Sequence, residues 1–195
     1  MALLSSLWYA LLGSIFILGA TAQDYAITDY TVIGTGCVPG TVTAEVTDDS
    51  KNIAIKYNKF VVNAGPNFGY DDGRKNCQLT LAVKAPSGYR FGFDKFSYTG
   101  SYSVGQGVTA SYSTSYYFQA TLDQAQGGKA FVGPARGDAV LSDSYDQIVW
   151  SPCGGSAVVG INTAIRVDNS ANPAATGALT VRNNPSTSFV WQKCY

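Results

Sequence analysis

The chain contains no histidine. That absence removes the Ser-His-Asp and Cys-His arrangements of nucleophilic catalysis and every His-ligated metal site. Glutamate occurs once, as Glu45, so paired-carboxylate chemistry would rest on aspartates. Charged residues make up 13% of the chain, about half the usual share. Thirteen basic residues balance 13 acidic ones, with no block of either sign. A nucleic-acid partner needs a clustered basic footprint, and this sequence has none. Beyond residue 22 no apolar run approaches the roughly 20 residues needed to cross a bilayer. No N-glycosylation acceptor is present, because Asn184-Pro185-Ser186 carries proline at the forbidden position.

What is present begins with a leader. Residues 7–19 (LWYALLGSIFILG) form an apolar run of signal-peptide length, and Ala20-Thr21-Ala22 supplies a small-x-small cleavage site. The expectation is a cleaved signal peptide over 1–22 and a single domain over 23–195, long enough for a full core and short for two. The expected location is secreted, extracellular or in the cell wall, with no membrane attachment after cleavage.

Cys37, Cys77, Cys153 and Cys194 are even in number and lie in an oxidising compartment, so two disulfides are expected. The spacings are wide and there is no CxxC pair, which argues against zinc. Four cysteines allow three pairings. The favoured one joins nearest neighbours, Cys37–Cys77 and Cys153–Cys194, and would pin the chain's penultimate residue.

The rest reads with a period of two. Val42, Ala44 and Val46 alternate with threonines and Glu45, and Ile53, Ile55 and Tyr57 repeat the pattern beyond a polar turn. Cys77, Leu79, Leu81 and Val83 share a face. After Pro86-Ser87-Gly88, Tyr89, Phe91 and Phe93 resume it, which suggests a hairpin. Within 108–122, Val108, Ala110, Tyr112, Tyr116, Phe118, Ala120 and Leu122 share a face. Residues 146–150 and 159–167, Leu179 with Val181, and Phe189 with Trp191 read as further strands. The best helical alternative, 122–130, is broken by Gly127-Gly128. Nine or ten short strands imply an all-β protein, an antiparallel β-sandwich or jelly roll with two disulfides. The Gly/Pro-rich stretches 63–73 and 127–137 are expected surface loops, where function concentrates.

Four blocks then form an ordered set. They are Asn76-Cys77-Gln78-Leu79 followed by Pro86-Ser87-Gly88-Tyr89, Trp150-Ser151-Pro152-Cys153-Gly154, Ile161-Asn162-Thr163 with Arg166, and Trp191-Gln192-Lys193-Cys194. With the four cysteines, they resemble the small secreted fungal proteins grouped as domain of unknown function 4360, over nearly the whole mature chain. The resemblance implies a secreted, cysteine-bridged, all-β protein and transfers no catalytic residue and no cofactor.

Two kinds of site residue stand out. Asp71-Asp72, with Asp143 or Asp146 as a second acid, are the carboxylates a glycosidase would need across a bond. Asp-Asp-Gly is also ordinary turn chemistry. The same pair and Asp48-Asp49 are oxygen donors of the type calcium takes, without EF-hand spacing, so no metal ligand is assigned. Among the aromatics, Tyr98, Tyr102 and Tyr117 are candidate ligand contacts, since tyrosine stacks and keeps a polar tip. Tyr117 is the clearest, facing outward among Thr109, Ser111, Ser113, Ser115, Gln119 and Thr121. Tyr112, Tyr116 and Phe118 are assigned to the core, and Trp150 and Trp191 to packing against the nearby bridges. Three function classes stay open: a non-catalytic binder of cell-wall polysaccharide or glycan, a protein-interaction or effector protein at a host or cell surface, and an Asp-dependent glycan hydrolase. The first is preferred. No catalytic residue and no cofactor is assigned, and the sequence carries no signal of oligomeric state.

Overall fold

The computed structural model describes residues 25–46, 52–119 and 121–195. The 1–22 leader, Asp48-Asp49, Ala120 and the side chain of Asp143 lie outside the described residues. Eleven strands follow in chain order: β1 (Ala26–Ile33), β2 (Val42–Val46), β3 (Ile53–Tyr57), β4 (Val61–Ala64), β5 (Arg74–Ala85), β6 (Tyr89–Val104), β7 (Thr109–Phe118), β8 (Gln124–Val132), β9 (Ala135–Ser144), β10 (Gly155–Asp168) and β11 (Gly177–Lys193). A single 3-10 turn among the described residues, Tyr70–Gly73, precedes β5.

The strands form two sheets with antiparallel pairings throughout. One has the order β1-β5-β10-β7-β8. The other has the order β2-β3-β11-β6-β9, with β4 also paired to β11. The period-two pattern decides which face each sheet buries. On β5, Cys77, Leu79, Leu81 and Val83 point inward; on β10, Val159, Ile161, Ile165 and Val167; on β7, Ala110, Tyr112, Tyr116 and Phe118. Facing them from β6 are Phe91, Phe93, Phe96 and Tyr98. The protein is therefore an antiparallel β-sandwich, with its core between the two inner faces.

Aromatic rings dominate that core. Phe93 meets Tyr116 edge-on at 5.1 Å between centroids, and Phe91 meets Phe118 likewise at 5.2 Å. Such edge-to-face contacts contribute about 0.5–1.5 kcal/mol each beyond area burial. The buried Tyr116 hydroxyl accepts from the Val149 amide at 2.9 Å and donates toward the Phe93 or Val149 carbonyl, 3.1 Å from each. One side chain thus fastens the irregular 145–154 segment over β6.

Both disulfides have the favoured pairing. Cys37–Cys77 ties the β1–β2 connection to the start of β5, and Cys153–Cys194 ties the segment before β10 to the chain's last residues. Each closes a loop of 40 or 41 residues, for which chain entropy predicts about 4 kcal/mol of stabilisation.

Several strand readings are corrected. The stretch around Pro86-Ser87-Gly88 is not a hairpin. Gly88 takes a left-handed φ of 74°, and the chain crosses from β5 in one sheet to β6 in the other. Alternation identifies a strand's buried face but not its hydrogen-bonding partner: β5 pairs with β1 and β10, and β6 with β9 and β11. Residues 146–150 are irregular, because Tyr116 and Asp146 hold the backbone in place of a ladder. Leu122 lies past the end of β7 and is fully exposed. The stretch 127–137 is mostly strand: Gly127 and Gly128 lie on β8 and Gly137 on β9, each an edge strand where little packing is needed. The last two expected strands are one, β11, bent by register shifts between Val181 and Phe189.

Candidate functional site

The outer face of the five-stranded sheet is built from residues alternating with the core. On β7 these are Ser111, Ser113, Ser115 and Tyr117. Pairing registers set them in rows across three strands: Tyr117–Gly160–Thr80, Ser115–Asn162–Gln78 and Ser113–Ala164–Asn76. None of these side chains carries a charge. They bond to one another: Gln78 Nε2 donates to the Tyr117 hydroxyl at 3.3 Å and Asn76 Nδ2 to Asn162 Oδ1 at 3.3 Å.

Tyr117 lies flat on this face, and Gly160 is the reason. A Cβ at position 160 would stand 2.8 Å from the Tyr117 Cζ, so the ring occupies the space that any other residue would fill. The phenol rests over the backbone of β10 at Gly160, and Tyr117 is half-buried, with amide and hydroxyl side chains in the neighbouring rows.

A second feature lies further along β10, toward its end. The 65–73 segment folds into consecutive turns, with the Phe68 amide donating to the Gly65 carbonyl and the Gly69 amide donating to Asp72 Oδ2 at 2.9 Å. It leaves Phe68 46% and Tyr70 89% exposed. Between this segment and the end of β10 is a cleft of about 360 Å³, lined by Phe68, Tyr70, Arg74, Arg166, Asp168 and Ser170 among others. That volume falls in the range of small-molecule sites, roughly 300–1,000 Å³. Arg74 and Arg166 are cross-strand partners. Arg166 Nη2 bonds Asp168 Oδ2 at 2.6 Å, and the Ser170 amide donates to Asp168 Oδ1 at 2.9 Å. Hydrogen bonds from Ser170, with Arg166 beside it, hold the Asp168 carboxyl below the usual carboxylate range. The Arg74 side chain has no hydrogen-bond or ion-pair partner among the described residues. A second depression of about 350 Å³ shares Arg166, Asp168 and Ser170 and continues to Thr109 and Ser111 on β7.

The structure separates the residues that the sequence grouped. Tyr117 is on the outer face, as its position on β7 requires. Tyr98 is not a surface residue. It is 2% exposed, and its hydroxyl sits 2.6 Å from Thr163 Oγ1 and 3.4 Å from Thr114 Oγ1, joining the two sheets through the core. It points inward because it falls in phase with Phe96 on β6. Tyr102, also inward, closes one edge of the sandwich by stacking on Phe131 at 4.0 Å and 15°. Asp71 and Asp72 are exposed in the 3-10 turn, with Asp72 bonded to Gly69. Asp146 is elsewhere, bonded to the Gln126 amide at 3.2 Å. Trp150 carries the Arg90 guanidinium over its ring at 5.3 Å, and Trp191 packs among Tyr25, Phe91 and Phe189. Phe68, Tyr70, Arg74 and Asp168 were not singled out as site residues by their positions in sequence. The available signal was that two aromatics fall in a Gly/Pro-rich stretch with no strand to bury them.

The fold and these two features define a disulfide-bridged β-sandwich with a polar, aromatic-bearing outer face. The family model for the domain of unknown function DUF4360 matches residues 23–194, and the chain belongs to that family. It is 32% identical over 169 residues to an uncharacterized secreted protein of Arthroderma benhamiae, spanning 83% of this chain and 68% of that one. Among solved structures, it is similar at a TM-score of 0.27 and 12% identity to TmCBM61 in complex with β-1,4-galactotriose, covering 86% of this chain and 90% of that one. It is similar at a TM-score of 0.26 and 5% identity to the family 11 carbohydrate-binding module of Clostridium thermocellum with a β-1,3-1,4-mixed-linked tetrasaccharide, covering 84% and 96%. Scores this low are no basis for assigning a shared ligand. No helix among the described residues is long and apolar enough to cross a membrane.

Proposed function

We propose that the protein is a secreted, non-catalytic binder of cell-wall polysaccharide, released as residues 23–195 once the 1–22 leader is cleaved. One observation carries this reading. A half-buried aromatic ring held against the outer face of a sheet and surrounded by uncharged amides and hydroxyls meets both needs of a sugar. The ring face takes the sugar's C–H groups, and the surrounding side chains take its hydroxyls. Gly160 and Gln78 fix the ring in place before any ligand arrives, which reduces the ordering cost of binding.

The test is retention of the secreted protein on insoluble chitin, β-glucan, cellulose and xylan. Retention on a polymer that Tyr117→Ala abolishes, with thermal unfolding unchanged, is the expected result. Retention on none of the four refutes the proposal and transfers the weight to a protein partner.

A further inference from the structure

The cleft beside the 65–73 turns and the Tyr117 face lie on the same surface, which gives them a relation neither has alone. Gly160, beneath Tyr117, and Arg166, at the cleft, are both outward residues of β10, separated by Asn162 and Ala164. At about 3.3 Å per residue the separation is roughly 20 Å. The depression lined by Arg166, Asp168 and Ser170 opens from the cleft onto this face, reaching Ser111 on β7.

We infer that the cleft is a second sugar-binding site, and that it and the Tyr117 face together hold one linear, neutral polysaccharide chain running along β10. This rests on the glycan-binding reading and adds the cleft, the direction of the chain and its charge class. The cleft has the right parts. Tyr70 and Phe68 present ring surface at its mouth. Arg74 has a planar fork of donors and no partner among the described residues, and Asp168, anchored by Ser170 and Arg166, accepts. Its charges come close to balance, which suits a neutral polymer: Arg166 is paired with Asp168, and the Arg74 charge is offset by Asp71 and Asp72 in the adjoining turn. Between cleft and platform the outward side chains on β5, β10 and β7 are short or amide-bearing, so no bulky group blocks a chain lying on the strand. The span exceeds a single sugar ring several-fold, so affinity must grow with ligand length.

Titration calorimetry with ladders of chitin, cellulose, xylan and β-1,3-glucan oligosaccharides, disaccharide to hexasaccharide, tests this. Two variants report on the two ends. Tyr70→Ala removes an exposed ring from the cleft. Gly160→Ala lifts the Tyr117 ring from the sheet, and the displaced atoms are the far end of a flexible side chain, so the fold is retained. Arg166→Ala is a second cleft variant, and thermal unfolding verifies each fold. The expected result is binding that tightens from disaccharide to hexasaccharide, with Tyr70→Ala and Gly160→Ala each weakening the hexasaccharide at least about tenfold, the smallest loss that marks an anchoring residue. If oligosaccharides bind without length dependence, or if Tyr70→Ala and Arg166→Ala match the wild type at every length while Tyr117→Ala abolishes binding, the continuous track is refuted and the single-platform reading stands. If no oligosaccharide and no polymer binds, both fail.

Discussion

Replacing Tyr98 by phenylalanine removes one oxygen from the centre of the sandwich. Tyr98 comes from β6 in one sheet, whereas Thr114 and Thr163 are directly paired on β7 and β10 of the other. The hydroxyl of Tyr98 lies 2.6 Å from that of Thr163, and Thr114 and Thr163 are 0% and 3% exposed. Without it, the two threonines retain each other at 3.5 Å, the outer limit of a hydrogen bond. The loss is one good bond, about 0.5–1.5 kcal/mol net, plus part of the desolvation penalty of a stranded hydroxyl, about 1–3 kcal/mol. Tyr98→Phe should therefore destabilise by about 1–3 kcal/mol, read as a fall of some 2–4 °C in Tm per kcal/mol for a domain of this size. Thr163→Val should cost a similar amount. The double variant removes both partners of the shortest bond and should cost clearly less than the sum of the two. Urea unfolding of the four proteins measures the coupling, and polysaccharide retention by Tyr98→Phe should equal that of the wild type. Strict additivity, or a Tyr98→Phe protein as stable as the parent, would refute the assignment of Tyr98 to a sheet-joining role.

Other expectations follow from the same structure. Replacing Cys37 and Cys77 together by serine should cost up to about 4 kcal/mol, measured by denaturant unfolding under non-reducing conditions. Burial raises the phenol pKa of Tyr57 well above its ordinary value and, less strongly, that of Tyr116. The stability this reflects is intact below about pH 10, where unfolded tyrosine titrates, and is lost as pH rises toward the folded values. Phenolate absorbance should therefore show a late, cooperative step coincident with alkaline unfolding, and a smooth titration of every tyrosine below that step would contradict it. Asp71→Ala with Asp72→Ala should leave the sandwich fold and polymer retention through the Tyr117 face intact. Loss of a measured glycan-hydrolysing activity in that double variant would overturn the non-catalytic reading.

Elements that depend on local periodicity were legible from the order of residues alone. The alternation of Leu79, Leu81 and Val83, or of Ala110, Tyr112 and Tyr116, specifies a strand and the side it buries, because successive side chains must point to opposite faces. It likewise placed Tyr117 outside and Tyr116 inside. The disulfide pairing followed from chain distance, which in this fold coincides with proximity in space. Periodicity carries no record of partners across the sandwich, so the division of β5 and β6 between different sheets and the meeting of Tyr98 with Thr163, 65 residues away, come from long-range packing. The same limit hid the cleft. Arg74 and Arg166 become neighbours through a ladder between strands far apart in the chain, and Phe68 and Tyr70 stay exposed because the turns around them have no facing sheet to bury them. Gly160 reads as a weak point in a strand until the fold lays the Tyr117 ring across it, since a glycine's missing side chain becomes useful only when another part of the chain fills the space.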